Sequence, residues 1–202
     1  PIPPFRNPKF ILGTDNLGRD VLSRLVYGTR ISLIVGVGSM LLATAVGVVL
    51  GLISGYFGGK VDMLIMRLTD IIMAFPDFLL TVATVGSLKP GLGSLFFSIA
   101  IVRWASIARM ARSQTLLLKE LEYVDAARAI GVSNGAIIRR HIFPNSLAPI
   151  IVSLTMGIAG AILTESSLSF LGLGIQPPTP SWGMMVNTAR GYMFLRPSLV
   201  FI

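Results

Sequence analysis

From Ile31 to Gly59 the chain carries no Asp, Glu, Lys or Arg. An α-helix advances about 1.5 Å per residue, so about 20 apolar residues cross the hydrocarbon core of a bilayer. The stretch is long enough to span a membrane, and we predict a transmembrane helix over Ile31–Ile53. The composition agrees, because only 13% of the residues are charged, against about 25% in a soluble domain. The chain is predicted to be an integral membrane protein.

Three further stretches are mainly apolar and are bounded by polar residues. They are Leu68–Leu88, Leu92–Ile107 and Leu147–Leu171. Together with the first stretch they predict an all-α transmembrane fold with four spans. The final residues, Ser198–Ile202, suggest the start of a fifth span, so we expect this sequence to be a fragment of a longer chain.

Small residues recur at every fourth position of the first span. They are Ser39, Ala43, Gly47, Gly51 and Gly55. Residues four apart lie on one face of a helix, and small side chains on such a face let helix backbones approach closely in lipid. The pattern predicts a tightly packed helix face, either within this chain or against a partner.

Ionisable residues inside predicted spans are candidate functional groups, because an unpaired charge in a bilayer is costly. Glu165 either lines a transport pathway or pairs with another group, for which Arg103 is a candidate. Arg103 alternatively extends its charge to the membrane surface. For Glu165 we favour structural pairing, because charged groups inside a membrane usually find partners.

The second predicted span is interrupted by Pro76 and Asp77. Proline has no N–H and therefore kinks or opens a helix. Such a break is either a gate or binding site near Asp77, or a kink required by packing. Nearby, Arg67 and Asp70 are three residues apart and predict an ion pair on one helix face.

The longest polar connection lies between the third and fourth spans, and it reads as two amphipathic helices. The first is predicted over Leu116–Ile130 and the second over Asn134–Phe143. Gly131 is placed where a glycine in left-handed conformation ends a helix, and Ser133 is placed to cap the next one. Pro144 is predicted to end the second helix.

Three other motifs in the chain do not carry their usual chemistry. Asp125–Ser133 resembles a DNA-binding helix-turn-helix, but short tethers to the membrane would prevent entry into a major groove, so no nucleic-acid partner is expected. Gly131–Gly135 fits G-x-S-x-G but follows a helix rather than a strand. Gly59-Lys60-Val61 lacks the remainder of a P-loop. With no Cys and a single His, neither a catalytic site nor a metal site is expected.

The polar connection also carries a segment that is similar to a known one. It contains Glu122, Tyr123, Val124, Asp125, Ala126 and Ala127, then Gly131, Ile142 and Pro144. This pattern resembles the EAA loop of ABC importer permeases. Asp125 occupies a position where the pattern has Glu, which keeps the charge on a shorter side chain.

Further segments, in the same order, resemble the second permease subunit of peptide and nickel ABC importers. They are Leu12–Asp15, Gly18–Arg24, Gly28–Leu33, Asp70–Pro76, Leu168–Gly174 and Ser181–Gly183. The resemblance covers nearly the whole chain, and several separate motifs agree.

The resemblance implies the type I ABC importer permease fold, also called MetI-like, in a bacterial or archaeal cytoplasmic membrane. Six spans are expected, of which this sequence holds four. Residues 1–27 would be an extracytoplasmic segment and residues 28–202 the transmembrane domain. Residues 108–146 would form the cytoplasmic coupling loop, an orientation that the even distribution of Lys and Arg leaves open.

The resemblance also implies partners. They are a homologous permease subunit, two cytosolic ATPases that bind ATP and Mg²⁺, and an extracytoplasmic solute-binding protein. The motif residues of the loop would contact an ATPase, and this chain would hold no cofactor of its own. Di- or oligopeptides are the leading solutes, with glutathione or a nickel chelate as alternatives. A self-contained secondary transporter is a distant alternative, and it predicts transport without nucleotide.

Overall fold

Helices account for the regular secondary structure of the residues that the computed structural model describes, 2–89 and 91–194. Within these residues no β-strand forms. The helices are α1 (Val21–Phe57), α2 (Gly59–Met73), α3 (Asp77–Ser87), α4 (Leu92–Leu118), α5 (Glu122–Ala129), α6 (Asn134–Ile137), α7 (Phe143–Phe170) and α8 (Trp182–Arg190), with a π-helical turn over Ile138–Ile142.

The chain divides into two compact units, and the first comprises Pro1–Gly38, Val82–Ser98 and Ala159–Ile202. In this unit α8 packs against the beginning of α1 and the end of α7. The Trp182 indole N–H donates a hydrogen bond to the Leu25 carbonyl oxygen at 3.4 Å. Gly183 lies directly against the backbone of Ser166, where no side chain would fit.

The second unit comprises Ser39–Thr81 and Ile99–Ile158. It contains the polar connection between the third and fourth predicted spans, together with the helix segments that flank it. Its core is aliphatic, and its members include Met40, Ala43, Leu52, Ile99, Ala105, Ala108, Val124, Ile137 and Ile142. The hydrophobic positions of the connection therefore belong to the same core as the helices.

The row of small residues on α1 is buried, as predicted. Its three glycines face α4. A Cβ atom on Gly47 would lie 2.7 Å from the Cβ of Ile107, and a Cβ atom on Gly55 would lie 2.7 Å from the Cβ of Thr115. These distances are too short for carbon atoms, so the backbones approach more closely than any larger residue permits. The packed face is thus formed within the chain.

Within residues 2–89 and 91–194, three helical segments are long and apolar enough to cross a membrane, and the bent pair of α2 and α3 would make a fourth if it is one span. The three segments are α1, α4 and the continuous helical run Asn134–Phe170, which joins α6, the π-helical turn and α7. The predicted span Leu68–Leu88 is not one straight helix, because α2 and α3 meet at an angle of 87°. Pro76 lies at the break, as expected for a residue without an N–H. The predicted fifth span at Ser198–Ile202 lies outside the described residues.

Close packing of α1 on α4 leads to a prediction. Gly51→Leu would place a side chain against the Cβ of Ala111, which is 2.7 Å from an ideal Cβ on Gly51. Overpacking of this kind costs about 1–3 kcal/mol. We expect a lower melting temperature for the full-length subunit in detergent, measured by size-exclusion chromatography after heating. Val49→Leu is the control, since Val49 is 55% exposed. Equal melting temperatures for the two variants would contradict the packing argument.

Candidate functional site

Gly131 ends α5 in the predicted left-handed conformation, with φ of 82°. Its N–H donates to the Arg128 carbonyl oxygen at 3.0 Å, and the Val132 N–H donates to the Ala127 carbonyl oxygen at 3.1 Å. This pair of bonds is a Schellman motif, which satisfies the last carbonyl groups of a helix. A tight, fully hydrogen-bonded turn therefore joins α5 to α6.

The predicted helix Leu116–Ile130 is interrupted, and that prediction is wrong. Helix α4 continues from the preceding span to Leu118, and α5 begins at Glu122 after a short turn. Leu121 takes an extended backbone conformation at the N-cap position of α5. Glu122 and Asp125 occupy the first turn of α5, where negative charge stabilises the helix dipole. The acidic motif residues thus favour a new helix start.

The second predicted helix does not end at Pro144. Instead the helix widens into the π-helical turn, where the Phe143 N–H donates to the Ile138 carbonyl oxygen, five residues earlier. A wider turn tolerates a residue without an N–H better than a regular α-helical turn does. The chain then continues as α7. Ser133 occupies the N-cap position of α6, but its side chain makes no capping hydrogen bond.

The motif residues divide into a buried and an exposed set. Ala127 and Ile142 are buried, together with Val124 and Ile137. The exposed members are Glu122, Tyr123, Asp125, Ala126, Gly131 and Pro144. The loop therefore has an apolar inner side that rests on the second unit and a mixed outer surface, where Ile130 is 81% exposed.

We call residues 122–142 the hairpin, which comprises α5, the turn at Gly131, α6 and the π-helical turn. Tyr56, at the end of α1, contacts both α5 and α6. Its hydroxyl donates to Oδ1 of Asn134 at 2.9 Å, and the Arg128 guanidinium lies 5.5 Å from its ring centroid. The pKa of the Arg128 guanidinium is raised, mainly by Tyr56 and also by Asp125. The Asp125 carboxylate lies 2.9 Å from Arg128. Sequence reasoning missed Tyr56, although an amphipathic aromatic residue between an apolar helix and a polar segment was a usable signal.

The other end of the hairpin is closed by Tyr123. Its ring centroid lies 6.0 Å from that of His141, in the π-helical turn. Asn145 donates through Nδ2 to the Tyr123 hydroxyl at 3.4 Å and to the His141 carbonyl oxygen at 2.6 Å. Tyr123 thus contacts His141 and Asn145 within the loop, and the residue is still exposed at the surface.

Three ion pairs connect α4 to α2 and α3 within the second unit. They are Asp62–Arg112, Asp70–Arg109 and Asp77–Arg103. The Asp62–Arg112 pair is bidentate, with distances of 2.5 and 2.6 Å, and Ser54 donates a further hydrogen bond to Asp62. The expected partner of Asp70 was Arg67, but Arg109 takes that place. Among the described residues, no group of three His, Asp or Glu side chains is arranged to hold a metal ion.

Arg103 and Glu165 do not pair with each other, which corrects that expectation. Arg103 lies 3.4 Å from Asp77. Glu165 is fully buried in the first unit, where Ser32 donates to its Oε2 at 2.9 Å and Ser169 donates to its Oε1 at 2.7 Å. Asp77 and Ser32 are far in sequence from Arg103 and Glu165, so local patterns did not indicate them. Ser169 is only four residues from Glu165, and its place on the same helix face was a usable signal.

Residues 47–202 match the family described as binding-protein-dependent transport system inner membrane component. The chain is 45% identical to the glutathione transport system permease protein GsiD of Pectobacterium atrosepticum, over 92% of this chain and 62% of that protein. It is 46% identical to the dipeptide transport system permease protein DppC of Haemophilus influenzae, over 93% of this chain and 63% of that protein.

These relatives are longer, and the chain spans about three fifths of their length. Among solved structures, the chain is similar to one titled as an inward-facing conformation of the MetNI methionine ABC transporter. The TM-score is 0.71 at 18% identity, with 89% of this chain and 86% of that chain covered. The predicted fold class, an all-α transmembrane MetI-like fold, is confirmed.

The contacts of Tyr56 generate a second prediction. Tyr56→Ala removes the hydrogen bond to Asn134 and the ring beneath Arg128, so α5 and α6 lose their shared support. We expect about tenfold faster hydrogen exchange across residues 122–142, since an exposed cation–π contact contributes about 0.5–1 kcal/mol and a hydrogen bond about 0.5–1.5 kcal/mol. Tyr56→Phe keeps the ring and should give a smaller increase. The exposed tyrosine at position 27 offers a matched control, Tyr27→Ala. If hydrogen exchange across residues 122–142 is as fast in Tyr27→Ala as in Tyr56→Ala, Tyr56 does not hold α5 and α6 together.

Proposed function

This chain belongs to the family of binding-protein-dependent transport system inner membrane components, and on that premise we propose that it is a permease subunit of an ATP-driven ABC importer. The observation that carries the proposal is the rigid hairpin around Gly131, which presents exposed motif residues and continues into helices of membrane-spanning length. A chain of this kind forms half of a translocation pathway, and a homologous permease supplies the other half.

The hairpin is built to transmit movement between a cytosolic partner and the membrane. On one side α6 continues without interruption into α7, so a displacement of α6 moves the whole helix. On the other side only a short turn separates α5 from α4. Two cytosolic ATPases, which bind ATP and Mg²⁺, would therefore act through this hairpin. The chain itself carries no P-loop and is a transport subunit rather than an enzyme.

The motif residues take different roles in this proposal. The surface that enters a groove on the ATPase is formed by the exposed residues Glu122, Tyr123, Asp125 and Ala126. Ala127 and Ile142 support that surface from the inside, since both are buried. The turn is made by Gly131. Pro144 follows the wide helical turn through which the hairpin joins α7.

We propose short peptides as the solute class, delivered by an extracytoplasmic solute-binding protein. The relatives named for dipeptide and for glutathione transport both support this class, since glutathione is itself a tripeptide. Di- or oligopeptides are the first candidates, and glutathione or a nickel chelate are alternatives in the same family. A self-contained secondary transporter would move its solute without nucleotide.

Uptake by proteoliposomes tests the function. The full-length subunit is reconstituted with its homologous permease, the two ATPases and the binding protein, and uptake of labelled dialanine is followed with and without ATP. Uptake that requires both ATP and the binding protein supports the importer. Uptake that is independent of ATP would replace it with the secondary transporter.

Gly131 provides the mutational test of coupling. Gly131→Val forces a β-branched residue to φ of 82°, which costs about 1–3 kcal/mol and distorts the turn. We expect the transporter to assemble in the membrane but to lose most ATP-dependent uptake. Gly131→Asn is the matched control, because Asn tolerates the left-handed conformation, and it should retain most uptake. Normal uptake by Gly131→Val would contradict transmission through this hairpin.

A further inference from the structure

The three Asp–Arg pairs of α4 differ in how firmly they are held. Asp62–Arg112 is bidentate, shares Ser54, and its carboxylate side chain is only 20% exposed. Asp77–Arg103 is the longest of the three at 3.4 Å, and the Asp77 side chain is 53% exposed while Arg103 is 28% exposed. The first pair is thus suited to a structural role. The last pair leaves one side of each charged group available to another ligand.

The Asp77–Arg103 pair lies inside a membrane-spanning segment, because Arg103 belongs to the predicted span Leu92–Ile107. At 1.5 Å per residue, Arg103 is about 16 Å from the beginning of α4 and about 6 Å before Ile107, beyond which α4 continues into the predicted cytoplasmic loop. Asp77 is the first residue of α3, immediately after the 87° break. The break removes the preceding helical turn that would otherwise lie over the carboxylate, and this explains its exposure.

A half-exposed carboxylate at this depth does not face lipid tails, because a charge in hydrocarbon is strongly unfavourable. It faces water or a polar group. Apolar side chains lie next to it in the sequence, and among them Phe75 is 56% and Phe78 is 38% exposed. A separated pair of opposite charges beside exposed aromatic surface is complementary to a small solute that carries both charges and apolar substituents.

We propose that Asp77 and Arg103 form an exchangeable ion pair in the solute pathway, which binds the two charged termini of a short peptide. The Arg103 guanidinium takes the peptide carboxylate and Asp77 takes the peptide ammonium. This inference rests on the importer function proposed above. A zwitterionic solute is preferred over a singly charged one, since a solute with one charge would open the pair and leave the opposite group without a partner.

Direct binding tests the site. The full-length subunit is assembled with its homologous permease and both ATPases in nanodiscs, without the binding protein, and equilibrium binding of dialanine and of alanyl-alaninamide is measured. Loss of a charged hydrogen bond weakens binding about tenfold or more. We therefore expect Arg103→Gln to weaken dialanine binding about tenfold and not to weaken the binding of the amide, because the amide has no carboxylate and leaves Arg103 without a partner.

Arg109→Gln is the matched control, since Arg109 belongs to the neighbouring pair on the same helix, and it should leave both affinities within twofold. Arg103→Lys keeps the charge and should bind dialanine more tightly than Arg103→Gln, which separates recognition from loss of folding. Equal weakening of both ligands by Arg103→Gln, or no measurable dialanine binding by the wild type, would overturn the site.

Thiol labelling locates the pair independently of affinity. Residues 1–202 contain no Cys, so Asp77→Cys introduces the one thiol of this part of the chain. A charged, membrane-impermeant methanethiosulfonate should modify it at least tenfold faster than the thiol of Val85→Cys, which lies on the same helix at a fully buried position. Equal rates would place Asp77 against lipid or a partner subunit and overturn the proposal.

ATP-dependent uptake by the same complexes reports on the importer function separately. Uptake by the wild type together with binding that does not depend on Arg103 would overturn this site and leave the importer function. The complex could instead bind dialanine in a way that depends on Arg103 and show no ATP-dependent uptake. That result would overturn the importer function and leave the Asp77–Arg103 binding site supported.

Discussion

Close approach of α1 and α4 at Gly47, Gly51 and Gly55 is the contact on which the second unit depends. In lipid the hydrophobic effect does not drive helices together, so association relies on van der Waals contact between backbones. Once α4 is held there, its arginines are placed to meet the aspartates of α2 and α3. The same small residues therefore set both the apolar packing and the ionic contacts of this unit.

The arrangement also connects the membrane helices to the hairpin. Helix α1 ends at Tyr56 and Phe57, and Tyr56 contacts Arg128 and Asn134. Helix α4 leads into α5, and α6 continues into α7. Each end of the hairpin is thus tied to an element of membrane-spanning length. A short element with a hydrogen-bonded turn has few conformational degrees of freedom of its own.

Local patterns predicted some features of the candidate site well and others poorly. The left-handed conformation of Gly131 follows from its position between two amphipathic segments, since other residues pay steric strain there. Helix boundaries were less predictable. The periodicity of Leu116–Ile130 is continuous, but Leu121 is extended and the acidic residues begin a new helix. Pro144 normally ends a helix, yet the π-helical turn before it accommodates the ring. Both departures depend on packing, which periodicity does not contain.

The sequence by itself determined that the chain is an all-α membrane protein, where the apolar segments lie, which helix face carries small residues and where the hairpin turns. These features are local, because hydropathy, residue size and backbone conformation act over a few helical turns. The tertiary structure alone decided the partners: Asp70 with Arg109, Asp77 with Arg103, Glu165 with Ser32. Each joins residues distant in sequence, and a charge or hydroxyl has many possible partners until packing places one beside it.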